Sequence, residues 1–228
     1  MYEDLRWFGL EWQEGSDSGG RFAPYSQSER LPFYRAAFEK LRAGGFVYPC
    51  QCSRKDVSRA LQAPHQGDEE PIYPGTCRGN AEFGTRNAET KVFDSAFRVP
   101  NSAFNWRFRV PDGETVSFFD GNFGAQHFIA GKDFGDFIIW RQDDIPAYQL
   151  AVVADDSAMQ ISEVVRGADL LLSTARQILL YRALGLNCPA FFHCDLMMDE
   201  NGIRLAKRND ALSLRTLRES GLTASKLH

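Results

Sequence analysis

Apolar residues recur at helical spacing near the start of the chain. Tyr2, Leu5 and Phe8 lie three positions apart and Gly9 follows them, which predicts a short amphipathic helix that ends at the glycine. The face of this helix must pack on another element. We therefore expect the helix to belong to a larger fold.

Residues 26–45 carry the clearest helical pattern. The apolar positions follow the i, i+3, i+4, i+7 spacing of one helix face: Tyr34, Ala37, Phe38 and Leu41. Ser26 and Glu29 have the spacing of a capping box, and Gly44 with Gly45 supplies a stop. The pattern predicts a helix that starts at Ser26 and ends at the glycine pair.

Short apolar runs predict strands in the rest of the chain. They are residues 46–48, 105–110, 115–119, 137–140, 147–153, 161–165 and 190–196. Residues 111–114, with the sequence Pro-Asp-Gly-Glu, are typical of a turn, so we expect the second and third runs to form a hairpin. Residues 62–91 are polar and rich in Gly and Pro, which indicates a long loop.

Two further helices are predicted in the second half. Residues 173–184 form one, with Thr174 and Gln177 as a second capping box and Gly185 as the stop, and Ser213 begins a short last helix. Alternation of strand and helix favours an α/β domain with parallel strands, interrupted by a β-rich insertion. No internal repeat is visible.

Composition changes this picture little. With 43% apolar and 25% charged residues the chain is typical of a globular protein, and its net charge of −4 predicts no general attraction to nucleic acid. Its longest apolar run is far shorter than the roughly 20 residues that span a bilayer. Five cysteines, an odd number, suit a reducing compartment, so we expect a cytoplasmic protein.

Three of the cysteines crowd together and favour a metal. Cys50 and Cys52 are separated by one residue, and Cys77 follows a Gly-containing turn. Zinc takes four tetrahedral ligands, and the fourth could be His65 or the phenolate of Tyr73; histidine is the commoner ligand. The alternative is that the cysteines are small buried apolar residues. A metal here would be structural, because its binding free energy becomes folding free energy.

Two strand-associated residues are candidates for substrate binding. Tyr148 opens the run 147–153, and Arg166 leaves the run 161–165 into a glycine turn, where ligands of open α/β sheets collect. The planar guanidinium suits a carboxylate. Alternatively, Arg166 simply pairs with Asp155 or Asp169.

A basic loop is the third candidate. Three cations lie within the five residues Arg204, Leu205, Ala206, Lys207 and Arg208. Such a loop can hold a polyphosphate and stabilise a leaving pyrophosphate. By itself the pentapeptide is more typical of a solvated basic loop.

At this point the sequence resembles the glutamyl-tRNA synthetases over nearly its whole length. The resemblance rests on the runs LRWFGLEWQEG, YSQSERLPFYRAAFEKL, FVYPCQCSR, PAYQLAVVADD, VVRGADLLLSTARQILLYRALG and RLAKR, in that order. Within that family, QAPH, YPGTCRG and the CxC…YxxxC arrangement look most like the glutamyl-queuosine tRNA(Asp) synthetase branch. That branch lacks an anticodon-binding domain.

The resemblance implies a fold and a site. The fold would be the α/β class I synthetase Rossmann-like nucleotidylyl transferase fold, with its first strand missing and an inserted zinc-bearing α+β subdomain. Residues 1–46 and 136–200 would form the catalytic domain, 47–135 the acceptor-binding-type insertion, and 201–228 the signature loop and the start of a helical domain. One structural Zn²⁺ per chain would be held by four ligands, Cys50, Cys52, Tyr73 and Cys77, so the resemblance favours Tyr73 over His65.

The resemblance also implies a reaction. Tyr148 and Arg166 would bind glutamate, and Lys207 would be the catalytic, ATP-binding lysine of the loop usually written KMSKS. A monomer would form glutamyl-adenylate from L-glutamate and ATP with Mg²⁺, and would transfer glutamate to queuosine in the anticodon loop of tRNA(Asp). No membrane is involved.

The sequence departs from the family at three points. A first strand with the HIGH-type histidines is expected before Met1, Arg204 and Ala206 replace the usual lysine and serine of the signature loop, and the family continues beyond His228. Two other functions therefore stay open. One is the catalytic portion of a synthetase that charges tRNA(Glu); the other is a non-catalytic zinc-containing remnant that binds tRNA or a partner.

Overall fold

The computed structural model describes residues 1–53, 56–57, 72–79, 104–198 and 213–226. The chain divides into two compact units. One is formed by Met1–Arg30 with Asp195–His228, and the other by Leu31–Cys194.

The first unit contains both predicted terminal helices. Helix α1 spans Tyr2–Trp7 and is followed by Gly9 with a φ of 92°, so the predicted helix and its stop are confirmed. Helix α5 spans Leu214–Glu219. The two helices are joined by an ion pair of 3.0 Å between Nη2 of Arg218 and the buried carboxylate of Asp4.

The start of α5 is also as predicted. Ser213 is its N-cap, and the side-chain oxygen accepts a hydrogen bond of 3.1 Å from the backbone N–H of Thr216. This bond satisfies one of the N–H groups that a helix start leaves without a partner.

The second unit begins with helix α2, which spans Leu31–Ala43. Its buried face is formed by Tyr34, Phe38 and Leu41, as the spacing predicted, and Gly45 with a φ of 73° follows its end. The predicted capping box is wrong. Ser26 makes no side-chain cap bond, and a separate 3₁₀ turn at Gln27–Glu29 precedes the helix.

In the part of the chain that the structure describes, seven strands form two sheets. In chain order they are β1 (Val47–Cys50), β2 (Asn105–Phe108), β3 (Thr115–Asp120), β4 (Gly124–Ile129), β5 (Phe137–Trp140), β6 (Glu163–Gly167) and β7 (Ala190–Cys194). The first sheet has the order β1-β2-β5 and is antiparallel. The second has the order β4-β3-β7-β6, in which β3, β7 and β6 are parallel and β4 is antiparallel.

The hairpin predicted around residues 111–114 is wrong. Its two arms, β2 and β3, lie in different sheets, and β3 pairs instead with β4. The turn of that true hairpin is Gly121–Phe123, where Oδ1 of Asp120 accepts from the N–H groups of Asn122 and Phe123. The side chain of a strand-end aspartate therefore closes this turn.

The run 147–153 is a helix and not a strand. Helix α3 spans Tyr148–Ala158 and helix α4 spans Leu171–Leu184. Helix α3 packs against both α2 and α4, so it is apolar on more than one face and its short apolar run imitates a buried strand. Gly185, with a φ of 62°, ends α4 as predicted.

The second predicted capping box is also wrong. Thr174 lies inside α4, where its hydroxyl donates to the carbonyl of Leu170 at 3.2 Å. Gln177 is buried and donates to the side chain of Gln149 at 2.9 Å. Both side chains therefore bond to other polar groups, and neither of them caps the start of a helix.

One core joins the helices to the sheets. The ring of Phe38 lies 5.1 Å from that of Trp140 and 5.4 Å from that of Trp106, measured between centroids. Each large apolar side chain buried in this way contributes about 1.5–3 kcal/mol. The architecture is thus a mixed α/β fold, as expected, and no described helix has the length and apolarity to cross a bilayer.

Candidate functional site

Three cysteine thiols converge at the end of β1. The sulfur atoms of Cys50, Cys52 and Cys77 all lie within 4.8 Å of one another, and those of Cys52 and Cys77 are 3.5 Å apart. The hydroxyl of Tyr73 lies 3.4 Å from Sγ of Cys50 and 3.5 Å from Sγ of Cys52. The four side chains that the sequence singled out are therefore brought together.

The spacing of these four atoms fits a tetrahedral metal ion. Zinc–sulfur bonds of about 2.3 Å and zinc–oxygen bonds of about 2.0 Å imply S···S edges of about 3.8 Å and S···O edges of about 3.5 Å. The observed contacts are close to these values. The donor set thus fits zinc; His65, the other candidate for fourth ligand, lies outside the described residues.

The acidities of the cluster differ from one group to the next. Burial raises the pKa of the Cys52 thiol to about 11 and also raises the pKa of the Tyr73 phenol. Burial acts in the same direction on Cys77, but hydrogen bonds from Tyr73 and from the backbone outweigh it and bring its pKa to about 7. Cys77 therefore reaches the metal-binding thiolate form more easily than Cys52.

An arginine supports the cluster from the neighbouring strand. Arg107 of β2 is buried, its Nε donates to Sγ of Cys50 at 3.3 Å, and its guanidinium lies 3.8 Å from the centroid of the Tyr73 ring. The buried cation thus donates to one sulfur of the cluster and holds the tyrosine ring in place.

The segment that carries Tyr73 and Cys77 is anchored by a buried aspartate. Asp136 accepts two bonds from Arg78, at 2.7 and 2.8 Å, and one from the hydroxyl of Tyr48 at 2.5 Å. At Gly135 a Cβ atom would lie 3.0 Å from the carbonyl oxygen of Tyr73, so only glycine lets the segment approach this closely. The anchor explains why cysteines distant in sequence meet.

The second group of candidate residues lies at the carboxyl end of β6. Arg166 is the penultimate residue of this strand, as predicted, whereas Tyr148 opens helix α3 and not a strand. The side chain of Tyr148 is half exposed and lies near enough to Arg166 to act electrostatically on its guanidinium. The structure therefore brings the two residues together, although it places Tyr148 on a different type of element.

The charge of Arg166 is only partly compensated. Burial lowers the pKa of its guanidinium, and the neighbouring Tyr148 and Asp156 act in the opposite direction. The guanidinium remains a cation, since arginine does not lose its proton in proteins. The guanidinium donates to His193 and Thr174, and Asp156 is a carboxylate that acts on it electrostatically.

Sequence reasoning missed the partners of Arg166. His193 and Asp120 are fully buried, and the imidazole lies between Asp120 on one side and Arg166 on the other. One signal was available. His193 lies two residues after Phe191 in a strand-like run, so the period of two puts it on the same buried face as that phenylalanine.

A cavity of about 1000 Å³ lies between the cysteine cluster and the start of α3. Its wall includes Cys52, Tyr73, Arg107 and Tyr148. The cysteine cluster and Tyr148 therefore border the same space, which is large enough for a small-molecule ligand, whereas Arg166 is not part of its wall. The third candidate, the basic residues Arg204 to Arg208 including Lys207, lies outside the described residues.

Comparison with known proteins agrees with the resemblance seen in the sequence. A Glutamyl-Q tRNA(Asp) synthetase of Nitratidesulfovibrio vulgaris is 44% identical over 224 residues, covering 98% of this chain and 66% of that protein. That of Symbiobacterium thermophilum is 46% identical over 219 residues, covering 96% and 64%. The chain thus spans slightly less than two thirds of the length of these relatives.

Solved structures and the family pattern point the same way. The crystal structure of a glutamate-tRNA synthetase from Elizabethkingia anophelis superposes with a TM-score of 0.70 at 24% identity, covering 92% of this chain and 42% of that one. Residues 1–226 match the family described as tRNA synthetases class I (E and Q), catalytic domain. The chain therefore belongs to the class I tRNA synthetases of the E and Q type, as part of their catalytic domain.

Proposed function

We propose that this chain activates glutamate with ATP and transfers it to queuosine in the anticodon loop of tRNA(Asp). One observation carries the proposal: Arg166 ends a parallel strand beside Tyr148 in a chain 44–46% identical to proteins named Glutamyl-Q tRNA(Asp) synthetase. A guanidinium with free N–H groups at such a strand end is suited to a carboxylate ligand.

In the first step, Arg166 and Tyr148 hold glutamate through its carboxylate and polar groups. The α-carboxylate oxygen then attacks the α-phosphorus of ATP, which enters with its magnesium as a substrate. The new O–P bond forms as the bond from the α-phosphorus to the pyrophosphate oxygen breaks, and pyrophosphate leaves. Positioning and charge stabilisation supply most of the acceleration in such transfers.

We assign Lys207 to the departing pyrophosphate. Its position in the run RLAKR corresponds to the ATP-binding lysine of the signature loop, and a cation there offsets the negative charge that develops on the leaving group. The neighbouring Arg204 and Arg208 keep the loop basic although Ala206 lacks the usual hydroxyl.

In the second step, a hydroxyl of the cyclopentenediol ring of queuosine attacks the carbonyl carbon of the adenylate. An ester bond forms, the proton of the hydroxyl is lost, and AMP leaves. The support for this acceptor is the similarity of the chain, at 44% and 46% identity, to two proteins named Glutamyl-Q tRNA(Asp) synthetase.

We also propose that Cys50, Cys52, Tyr73 and Cys77 hold one structural Zn²⁺. Support comes from the fit of their distances to a tetrahedron. When bound there, the ion cross-links the 72–79 segment to the end of β1, and it takes no part in the chemistry.

The test is a pair of assays on the purified chain. Glutamate-dependent exchange of labelled pyrophosphate into ATP measures activation, and it is expected without tRNA. Transfer of labelled glutamate is then measured with tRNA(Asp) that carries or lacks queuosine, and the attachment point is located by nuclease digestion. We expect label in the anticodon loop only when queuosine is present.

Two other outcomes identify the alternatives. The relatives include a Glutamate–tRNA ligase 2 of Nitrosococcus oceani, 42% identical over 224 residues and covering 97% of this chain and 45% of that protein, so charging of tRNA(Glu) at its 3′ end is the second candidate. Bound zinc without any exchange activity contradicts both enzymatic functions and favours a non-catalytic tRNA-binding or partner-binding module.

A further inference from the structure

A buried chain of hydrogen bonds, formed by side chains of three neighbouring strands, ends at Arg166. In the sheet, Arg166 of β6 is paired with His193 of β7, and β7 in turn adjoins β3 at Asp120. Nδ1 of His193 lies 2.5 Å from Oδ2 of Asp120, and its Nε2 lies 3.1 Å from Nε of Arg166. Strand pairing places Arg166 opposite His193 and Asp120 opposite Phe191, and the side-chain bond from His193 to Asp120 completes the line of carboxylate, imidazole and guanidinium.

Asp120 is held in one orientation by the backbone. Its Oδ1 accepts N–H groups from Asn122 at 3.1 Å, Phe123 at 3.0 Å and His193 at 3.3 Å. Burial alone would raise the pKa of this carboxyl, but the bond from the imidazole and these N–H groups bring it to about 2. Asp120 is thus an ionised acceptor at neutral pH, with Oδ2 aimed at the imidazole.

This fixed acceptor determines the tautomer of His193. An ionised carboxylate can only accept, so the proton of the neutral ring lies on Nδ1 and the lone pair lies on Nε2. Nε of Arg166 always carries a hydrogen, and it donates to that lone pair. The Thr174 hydroxyl, 3.1 Å from the same nitrogen, accepts from Nη2 of Arg166 at 2.5 Å.

These hydrogen bonds occupy one edge of the Arg166 guanidinium. His193 and Thr174 take the Nε hydrogen and one Nη2 hydrogen, which leaves the other three of the five N–H groups. Those three are the groups that can serve Tyr148 and a bound carboxylate. Arg166 therefore has an inner edge fixed by the fold and an outer edge for a ligand.

We propose that Asp120 and His193 are positioning residues that orient Arg166 so that its outer edge receives a glutamate carboxylate. This inference rests on the proposed function, since it takes glutamate as the ligand. A neutral imidazole suits the task better than a carboxylate in direct contact. It fixes the guanidinium with one bond, while the negative charge of Asp120 stays one ring away and leaves Arg166 more attractive to an anion.

The tautomer gives a readout that does not depend on activity. In the full chain labelled with ¹⁵N-histidine, long-range proton–nitrogen NMR is expected to show His193 with its hydrogen on Nδ1. His193→Gln assigns its signals among the four histidines of the sequence. In Asp120→Asn, three backbone N–H groups hold the remaining oxygen, so the amide NH₂ faces Nδ1 and the ring is expected to switch to the Nε2–H form.

That switch turns an acceptor toward Arg166 into a second donor. We expect Asp120→Asn and His193→Phe to raise KM for glutamate on the order of 10–100-fold, as is usual when an orienting outer partner is removed, and to leave KM for ATP unchanged. His193→Gln keeps an acceptor at the side-chain end and is expected to recover most of the loss. Circular dichroism and urea unfolding confirm that each variant is folded.

Each outcome separates the inference from the function on which it rests. The inference is overturned if wild-type His193 carries its hydrogen on Nε2, or if folded His193→Phe and Asp120→Asn keep the wild-type KM for glutamate. If the wild-type chain neither binds glutamate nor catalyses exchange while the Nδ1–H form is observed, the proposed function fails; the orientation of Arg166 then stands and its role toward glutamate is refuted.

Discussion

Replacing Tyr73 by phenylalanine separates a metal ligand from an ordinary buried tyrosine. The substitution removes one oxygen and leaves the ring that packs under Arg107. In the metal-free protein that oxygen accepts the backbone N–H of Cys77 at 2.8 Å. Its loss leaves a buried donor without its partner, so we expect a cost of about 1–3 kcal/mol in the free energy of unfolding.

With zinc the same substitution should cost more. Loss of even an outer partner of a metal ligand weakens metal binding about 10–100-fold, so loss of the ligand itself should weaken it at least as much. Each tenfold weakening reduces the stabilisation by bound zinc by about 1.4 kcal/mol at saturating metal. Urea unfolding with and without zinc, together with competition against a chromophoric chelator, measures both effects.

Tyr48→Phe is the matched control. Tyr48 is fully buried and its hydroxyl donates to Asp136 at 2.5 Å, so the loss should cost a similar 1.5–3 kcal/mol. The hydroxyl of Tyr48 bonds to Asp136 and is not one of the four candidate donor atoms, so zinc affinity should stay close to the wild-type value. The reasoning fails if Tyr73→Phe leaves zinc affinity unchanged; a loss of affinity in His65→Ala instead would make His65 the fourth ligand.

The remaining predictions concern the substrate residues and the fold. Arg166→Lys keeps the charge but loses the planar fork, so kcat/KM for glutamate in pyrophosphate exchange should fall about 10–100-fold. Lys207→Ala should lower the exchange rate on the order of 10²–10³-fold, and an unchanged rate refutes its role. Because the pKa of Asp120 is lowered from 3.8 to about 2, its contribution to stability is complete above pH 4 and is lost as the pH falls toward 2; acid titration by circular dichroism should show this step in the wild type and not in Asp120→Asn. Gly185→Ala meets no close atom but forces alanine to a φ of 62°, so urea unfolding should show a loss of about 1 kcal/mol.

Sequence predicted best the features that depend on neighbouring residues. Gly9, Gly45 and Gly185 end helices as expected, because a left-handed φ is a local requirement that glycine meets. The sequence also indicated the cysteine cluster, because the ability of a thiol to bind a metal depends on the residue type and not on the fold. The geometry that joins Cys77 to the others depends on Asp136 and Gly135, which no spacing rule indicated.

The errors arose where tertiary packing decides. The run 147–153 is apolar on more than one face because α3 packs on both α2 and α4, and seven apolar residues do not distinguish a strand from such a helix. The hairpin prediction failed because the turn at 111–114 connects two sheets. Asp120 and His193, 73 positions apart, meet only through strand register, which the sequence does not state.

The cavity lies between the cysteine cluster and Tyr148. Arg107 donates to Sγ of Cys50 and, through Nη1, to the carbonyl oxygen of Asp136 at 2.8 Å. The same side chain is therefore bonded to the cysteine cluster and to the aspartate that anchors the 72–79 segment. Arg107 and Tyr73 form part of the wall that faces Tyr148. Arg107 is therefore a buried side chain that contacts the cysteine cluster and also lines the cavity beside Tyr148. For this reason a metal that takes no chemical part can still set the shape of the space in which the proposed chemistry occurs.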